Sequence, residues 1–387
     1  MSGFASLVGQ DAVVTQLRAA AAAAAAVVRG EPGPGMTHAW LFTGPAGSGR
    51  SVAARAFAAA LQCPACGCGD CHECQAVLAG THVDVEVVTP AGLSYSVAET
   101  RRLVARSALA PSGGRWQVTV VEDADRFTEQ ALNALLKALE EPPARGVWML
   151  CAPSAEDLLP TIRSRCRVVT LRIPPYDAVA TYLESEGVDR SMAAFAARAA
   201  QGHIGRARRL ATDAEAARRR REVLELPTQI GRIGGCFTAA ANLVGAARDE
   251  ATAVTRELDG TEAAALRTSI GDVGGRGVSR PRGAAGVMAD LEKRQRSRAT
   301  RTQRDALDRA LTDIAAFYRD VLVLQLQAPV DLVNADLQRT LTAVAGSSTP
   351  EATLRRIEAV LACREAIDAN VAPLLAVEAM AVTLHAA

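Results

Sequence analysis

The stretch Gly44-Pro-Ala-Gly47-Ser-Gly49-Arg50-Ser51 fills every fixed position of a phosphate-binding loop, G-x-x-x-x-G-K-[ST], except the lysine. In such loops the lysine carries a point charge to the β- and γ-phosphates, and the hydroxyl holds Mg²⁺. Arg50 keeps a positive charge but places it on a bulkier planar fork with a different direction. The acidic partner of the loop is a strand ending in carboxylates, here Val118–Val121 followed by Glu122-Asp123-Ala124-Asp125. The usual order, Asp then Glu, is reversed to Glu122-Asp123, which moves each carboxyl by a methylene. Misplacement near 1 Å costs metal-assisted chemistry about 10²-fold. Weak or no ATP binding and little or no hydrolysis are therefore expected of Gly44, Gly47, Gly49, Arg50, Ser51, Glu122 and Asp123. The rival is an active ATPase that tolerates Arg50.

A second constellation is Cys63, Cys66, Cys68, Cys71 and Cys74. Cys68-x₂-Cys71-x₂-Cys74 brings three thiolates around one small loop, and Cys63 or Cys66 supplies a fourth for tetrahedral Zn²⁺. Four cysteines leave no open coordination position, so the metal is expected to be structural. His72 is a spare ligand that a four-cysteine site does not need. The alternative is unligated or redox-active thiols. Cys151, Cys166, Cys236 and Cys363 stand alone and read as small buried hydrophobes.

A third feature is Ser164-Arg165-Cys166, just before the last strand of the phosphate-loop domain. That placement makes Arg165 a candidate finger toward a neighbouring subunit's γ-phosphate. The plainer alternative is a surface arginine with a carboxylate partner.

The elements that must position these residues follow from periodicity. His38–Thr43 reads as a buried strand feeding the glycine loop, and Ser51–Leu61 as the helix after it. Asp84–Val88, Gln117–Val121, Val147–Cys151 and Val168–Leu171 complete a five-strand parallel sheet. Ser96–Leu109 is helical, with Val97, Leu103 and Val104 inward. Thr128–Glu140 places Leu132, Leu135, Leu136 and Leu139 on one helix face, ended by Pro142-Pro143. The expected fold is an α/β P-loop domain over 1–172 with the metal module at 63–74 inserted. A small helical lid at 173–213 follows Pro174-Pro175, and an all-α domain covers 214–387. The segment 271–286, with six glycines and Pro281, reads as a flexible loop or insertion.

At 387 residues the chain is long enough for two or three cores. Its net charge of +1 disfavours a cationic nucleic-acid binder acting alone, so a zinc-stapled DNA-binding module is the weakest reading. Lys137 and Lys293 are the only lysines, which points to codon bias toward arginine. The arginines 218–221, 294, 296, 298, 301 and 304 are read as solvated faces before DNA contacts. The Ala19–Ala26 tract is too short to span a bilayer, no membrane association is expected, and a cytoplasmic location is.

The motifs, in order, resemble the bacterial clamp-loader branch of the AAA+ ATPases. The resemblance runs through Phe4-x-x-Leu7-Val8-Gly9-Gln10, the glycine loop, the cysteine cluster, Asn133-Ala-Leu-Leu-Lys137-Ala-Leu-Glu-Glu-Pro-Pro143 and Ser164-Arg-Cys166. It covers residues 1–210. Relative to the family's ATP-hydrolysing motor, Arg50, Glu122-Asp123, Ala152 in place of a sensing Thr, and Gly205 in place of a sensing Arg all depart at one site. The resemblance therefore implies a stator subunit without intrinsic activity, part of a replicative DNA polymerase holoenzyme. Its implied partners are the motor (gamma/tau) and delta subunits, with the sliding clamp and primed DNA reached through the complex. It also implies a collar role for 214–387 and a trans role for Arg165. The short spacing from Cys63 to Cys68 departs from the family and leaves Cys63 against Cys66 open as first ligand.

Overall fold

The computed structural model describes residues 3–90, 92–113, 115–269 and 284–386. It divides into two compact units, Met1–Thr212 and Asp213–Ala387.

The first unit begins with α1 (Asp11–Val28), β1 (Ala39–Thr43), α2 (Arg50–Gln62) and α3 (His72–Leu78). There follow β2 (Val85–Val88), α4 (Val97–Ser107), β3 (Gln117–Val121), α5 (Glu129–Glu140), β4 (Gly146–Ala152), α6 (Pro160–Arg163) and β5 (Arg167–Thr170). The strands form one parallel sheet in the order β2-β3-β4-β1-β5. β1 pairs with β4, Ala39 opposite Trp148, and with β5, Trp40 opposite Arg167. Successive side chains of a strand point to opposite faces, and both faces here are covered. Trp40, Phe42, Val118, Val120, Met149 and Cys151 pack with α1 and α2. Leu41, Val121, Trp148 and Leu150 pack with Leu132, Leu135 and Leu139 of α5 on the other face. The fold is the expected α/β P-loop class, with every expected strand within a residue or so of its place.

Helix caps explain the local boundaries. Ser96 and Glu99 form a reciprocal capping box that starts α4, and Thr128 caps α5 by accepting from the Ala131 N–H. α1 is 18 residues long and by length and composition could cross a membrane. It exceeds the alanine tract, and Val13, Leu17, Ala20, Ala21 and Ala24 bury one face of it in the first core.

Helices α7 (Tyr176–Ser185), α8 (Arg190–Ala199) and α9 (Ile204–Thr212) close the first unit around their own cluster of Val179, Leu183, Ala196 and Ala207.

The second unit is helical: α10 (Ala214–Gln229), α11 (Ile233–Ser269), α12 (Ala284–Leu326), α13 (Gln338–Ser347), α14 (Pro350–Asp368) and α15 (Pro373–Ala386). α11 and α12 run for 37 and 43 residues. Leu307, Leu311, Ile314, Phe317 and Val321 recur at three- and four-residue intervals and give α12 a continuous buried stripe. The glycine-rich expectation at 271–286 lies outside the described residues up to 283.

The arginine-rich stretches only partly behave as solvated faces. Arg218 does so, bridging Glu215 and Glu222 along α10. Arg220 does not. It is 5% exposed and bonds to Asp313 and Asn334 in the interior. Asp320, fully buried, accepts from the Val333 and Asn334 backbone N–H groups and from Asn334 Nδ2. A buried ion pair survives only when its remaining polar capacity is satisfied, and this network does that. Arg298 is held by Asp259 and Glu262.

Candidate functional site: a phosphate loop and a cysteine cluster at opposite ends of one helix

The glycine loop leaves β1 and turns into α2, so the first-turn N–H groups of α2 lack intrahelical acceptors and face the loop. Gly44 (φ +147°) and Gly47 (φ +89°) hold conformations that favour glycine. A Cβ at Gly44 would sit 2.5 Å from the Leu171 carbonyl oxygen, and one at Gly47 would sit 2.8 Å from His203 Cβ. Neither loop position has room for a side chain. Gln10 fixes the loop from outside by donating to the carbonyls of Ser48 (3.3 Å) and Arg172 (2.5 Å).

Around this loop lies a cavity of about 470 Å³. Leu7, Val8, Tyr182 and Ile204 give it an apolar end, while the loop, Arg50, His203 and Arg208 give it a polar one. Gly205 lines it too. Its size suits a nucleotide.

The charged groups of the loop are engaged with the protein itself. Arg50 Nη1 donates to the Gly44 carbonyl, folding the guanidinium back over the loop. Arg55, from the second turn of α2, donates to Glu122 Oε1 at 2.7 Å. The Glu122 main chain is pinned as well: the Tyr95 hydroxyl lies 2.6 Å from its carbonyl and 2.9 Å from that of Val88. Asp123 is in a left-handed conformation at φ +51°. Burial, followed by the charge of Asp123, holds the Asp125 carboxyl above the usual carboxylate range. Cys151, on β4, is buried beside the loop and its thiol is bonded to the Ser51 side chain. Burial pushes that thiol well up, so it stays protonated.

The structure therefore brings Gly44, Gly47, Gly49, Arg50 and Ser51 together on the cavity wall. It places Glu122 and Asp123 off that wall, with Glu122 joined to Arg55. Sequence reasoning missed Arg55, Ser48 and Arg208. Arg55 and Glu122 are 67 residues apart, and only the sheet order brings them into contact.

At the other end of α2, Cys63 begins the cysteine module. The sulfurs of Cys63, Cys68, Cys71 and Cys74 all lie within 4.8 Å of one another. Cys63 and Cys68 sulfurs are 3.5 Å apart, and Cys63 and Cys71 sulfurs 3.7 Å. A tetrahedral ion with bonds of about 2.3 Å needs sulfur–sulfur edges near 3.8 Å, so these four residues fit a metal. Backbone N–H groups of Cys68 and Cys74 point at the sulfurs of Cys63 and Cys71, an arrangement that favours thiolates. Hydrogen bonding draws the Cys68 thiol down to about 6, the backbone N–H of Asp70 first among its donors. Cys66 is not in the group; its sulfur turns to the Ala21 carbonyl at 3.8 Å. His72 is exposed and contacts Glu73. Arg115 braces the first ligand by donating to the carbonyls of Leu61 and Cys63, both at 3.2 Å.

Arg165 follows α6 on the surface. Its guanidinium donates to Glu140 Oε1 at 2.6 Å and to the Thr161 carbonyl at 2.8 Å. An exposed pair of this kind is worth about 0–1 kcal/mol, so it orients the side chain without locking it.

Comparison with known proteins now bears on the site. Residues 33–175 match a family described as "DNA polymerase III, delta subunit". The first domain is that of a DNA polymerase III clamp-loader subunit. The chain is 34% identical over 196 residues to DNA polymerase III subunit gamma/tau of Mycobacterium tuberculosis, covering 48% of this chain and 32% of that protein. It is 42% identical over 135 residues to DNA polymerase III subunit delta' of Pseudomonas aeruginosa, covering 33% of this chain and 41% of that one. Against subunit delta' of Haemophilus influenzae the figures are 35% over 153 residues, 38% and 47%. Each match spans less than half of the relative's own length. Both subunit types match the same domain, so the side chains of the site must choose between them.

Proposed function

We propose that this chain is a delta-prime-type stator of a DNA polymerase III clamp loader, with a degenerate nucleotide site. In this reading it works in the cytoplasm with gamma/tau motor subunits and a delta subunit to place a sliding clamp on primed DNA. Residues 173–213 act as its lid, and 214–387 join the collar of the assembly. The observation that carries the reading is the double self-engagement of the site, Arg50 on the Gly44 carbonyl and Arg55 on Glu122. A working site needs its cation free for phosphate and its acid free for Mg²⁺. Arg165 acts in trans, leaving Glu140 for the γ-phosphate of a neighbouring motor subunit. Cys63, Cys68, Cys71 and Cys74 hold structural Zn²⁺; four protein ligands close the shell and leave no position for chemistry.

The similarity to gamma/tau proteins favours a second reading, an active motor subunit. ATP hydrolysis by the isolated chain separates the two. The stator reading predicts no turnover above the protein-free rate with Mg²⁺ present. Saturable, Mg²⁺-dependent turnover would establish the motor reading instead.

A further inference from the structure

The cavity above the loop has a composition that its motif does not announce. Among the described residues that line it there is no carboxylate, whereas Arg50, Arg208 and His203 all face it. The carboxylate that would carry Mg²⁺, Glu122, is held by Arg55 outside that wall. Arg208 is free to turn inward, since its pair with Glu186 is long, 3.4 Å, and exposed. Ser48 adds an independent sign of a ligand. The residue is 2% exposed, lines the cavity, and its Oγ is buried with no hydrogen-bond partner among the described residues. A buried hydroxyl left unpaired is costly, and an entering acceptor would relieve it.

We infer that this cavity binds the diphosphate or triphosphate group of a nucleotide without a metal ion. Arg50, Arg208, the Ser48 hydroxyl and the first-turn N–H groups of α2 neutralise and cradle the phosphates. Leu7, Val8, Tyr182 and Ile204 receive the base. Arg55 takes the place of the cation at Glu122, so Mg²⁺ has no protein ligand to join. No bond is made or broken. The inference rests on reading the site as degenerate, and it is independent of the stator assignment.

The test is an equilibrium titration of the full chain with ADP, run once with Mg²⁺ and once with EDTA, and repeated with inorganic pyrophosphate. ADP is expected to bind at least as tightly in EDTA, because the metal-free anion carries more charge to Arg50 and Arg208. Pyrophosphate is expected to bind more weakly than ADP, having no base for the apolar end. Arg208→Ala should weaken ADP binding about tenfold or more, the usual loss for a charge-assisted hydrogen bond. Arg55→Ala, by freeing Glu122, should make binding tighter with Mg²⁺ than with EDTA. Binding that disappears on chelation in the unaltered chain would overturn the inference, and so would no ADP binding under either condition. Chelation-sensitive binding without turnover sinks metal independence alone; Mg²⁺-dependent turnover sinks the degenerate-site reading beneath it.

Discussion

The two ends of α2 carry two sites with opposite fates. At the N-terminal end the loop backbone is intact, but Arg50 and Arg55 are turned onto the protein's own carbonyl and carboxylate. At the C-terminal end four sulfurs converge within 4.8 Å and backbone N–H groups point at them, an arrangement that an ion completes. Sharing a helix, both sites have the same rigid support. The difference lies in what each needs. A phosphate cradle is mostly backbone and survives as architecture after its reactive charges are redirected. A metal cluster has no such residual use, because without its ligands the module from 63 to 74 has little apolar content to hold it.

The largest effect expected from breaking this contrast is at the metal end. Binding of a structural ion contributes folding free energy, about 10–16 kcal/mol in small zinc peptides. Because Cys63 and Cys74 here rest on a preformed core, Cys74→Ser or chelation should cost less, roughly 2–5 kcal/mol. The loss should be seen as a lowered thermal midpoint together with loss of bound metal. Cys66→Ser should leave the metal content unchanged, which distinguishes the ligand set from its neighbour.

At the loop end, Gly47→Ala should destabilise by about 1–3 kcal/mol, since its φ is +89° and the new methyl would meet His203. Denaturant midpoints report that loss. Restoring the motif by Arg50→Lys should change stability by less than about 1 kcal/mol and should not create ATP turnover, because Glu122 stays with Arg55. Turnover on that single substitution would erase the contrast.

The smallest effect concerns Asp125. Its carboxyl is held above its ordinary range by burial and by Asp123. Ionising it therefore costs stability, a penalty absent below its unfolded-state pKa that grows as pH rises through the folded one. Asp125→Asn should raise the thermal midpoint at neutral pH and leave it nearly unchanged in acid.

Much of the contrast is visible in the residues alone. The strands of the sheet are buried apolar runs, so their positions are legible, and the cysteine spacing announces a cluster. The choice of Cys63 over Cys66 is not legible, because it depends on the turn through Cys66, whose φ is +55°. Arg55 is missed for another reason. Its partner arrives from β3, and the sequence does not state that β3 ends beside α2. Arg220 looks like one of four exposed arginines, and only the packing of α10 on α12 sends it inward to Asp313.

The claim that joins these observations is that the useful cation of this domain is Arg165, which acts on a nucleotide held by another chain. The direct measurement is clamp- and DNA-stimulated ATP hydrolysis by a complex reconstituted from motor and delta subunits with this chain, unaltered or Arg165→Ala. Assembly is checked in both cases by gel filtration. An arginine finger contributes about 10³–10⁵ in rate, so turnover at the adjacent site should fall by roughly that factor while assembly is intact. Unchanged hydrolysis in a fully assembled Arg165→Ala complex would contradict the account.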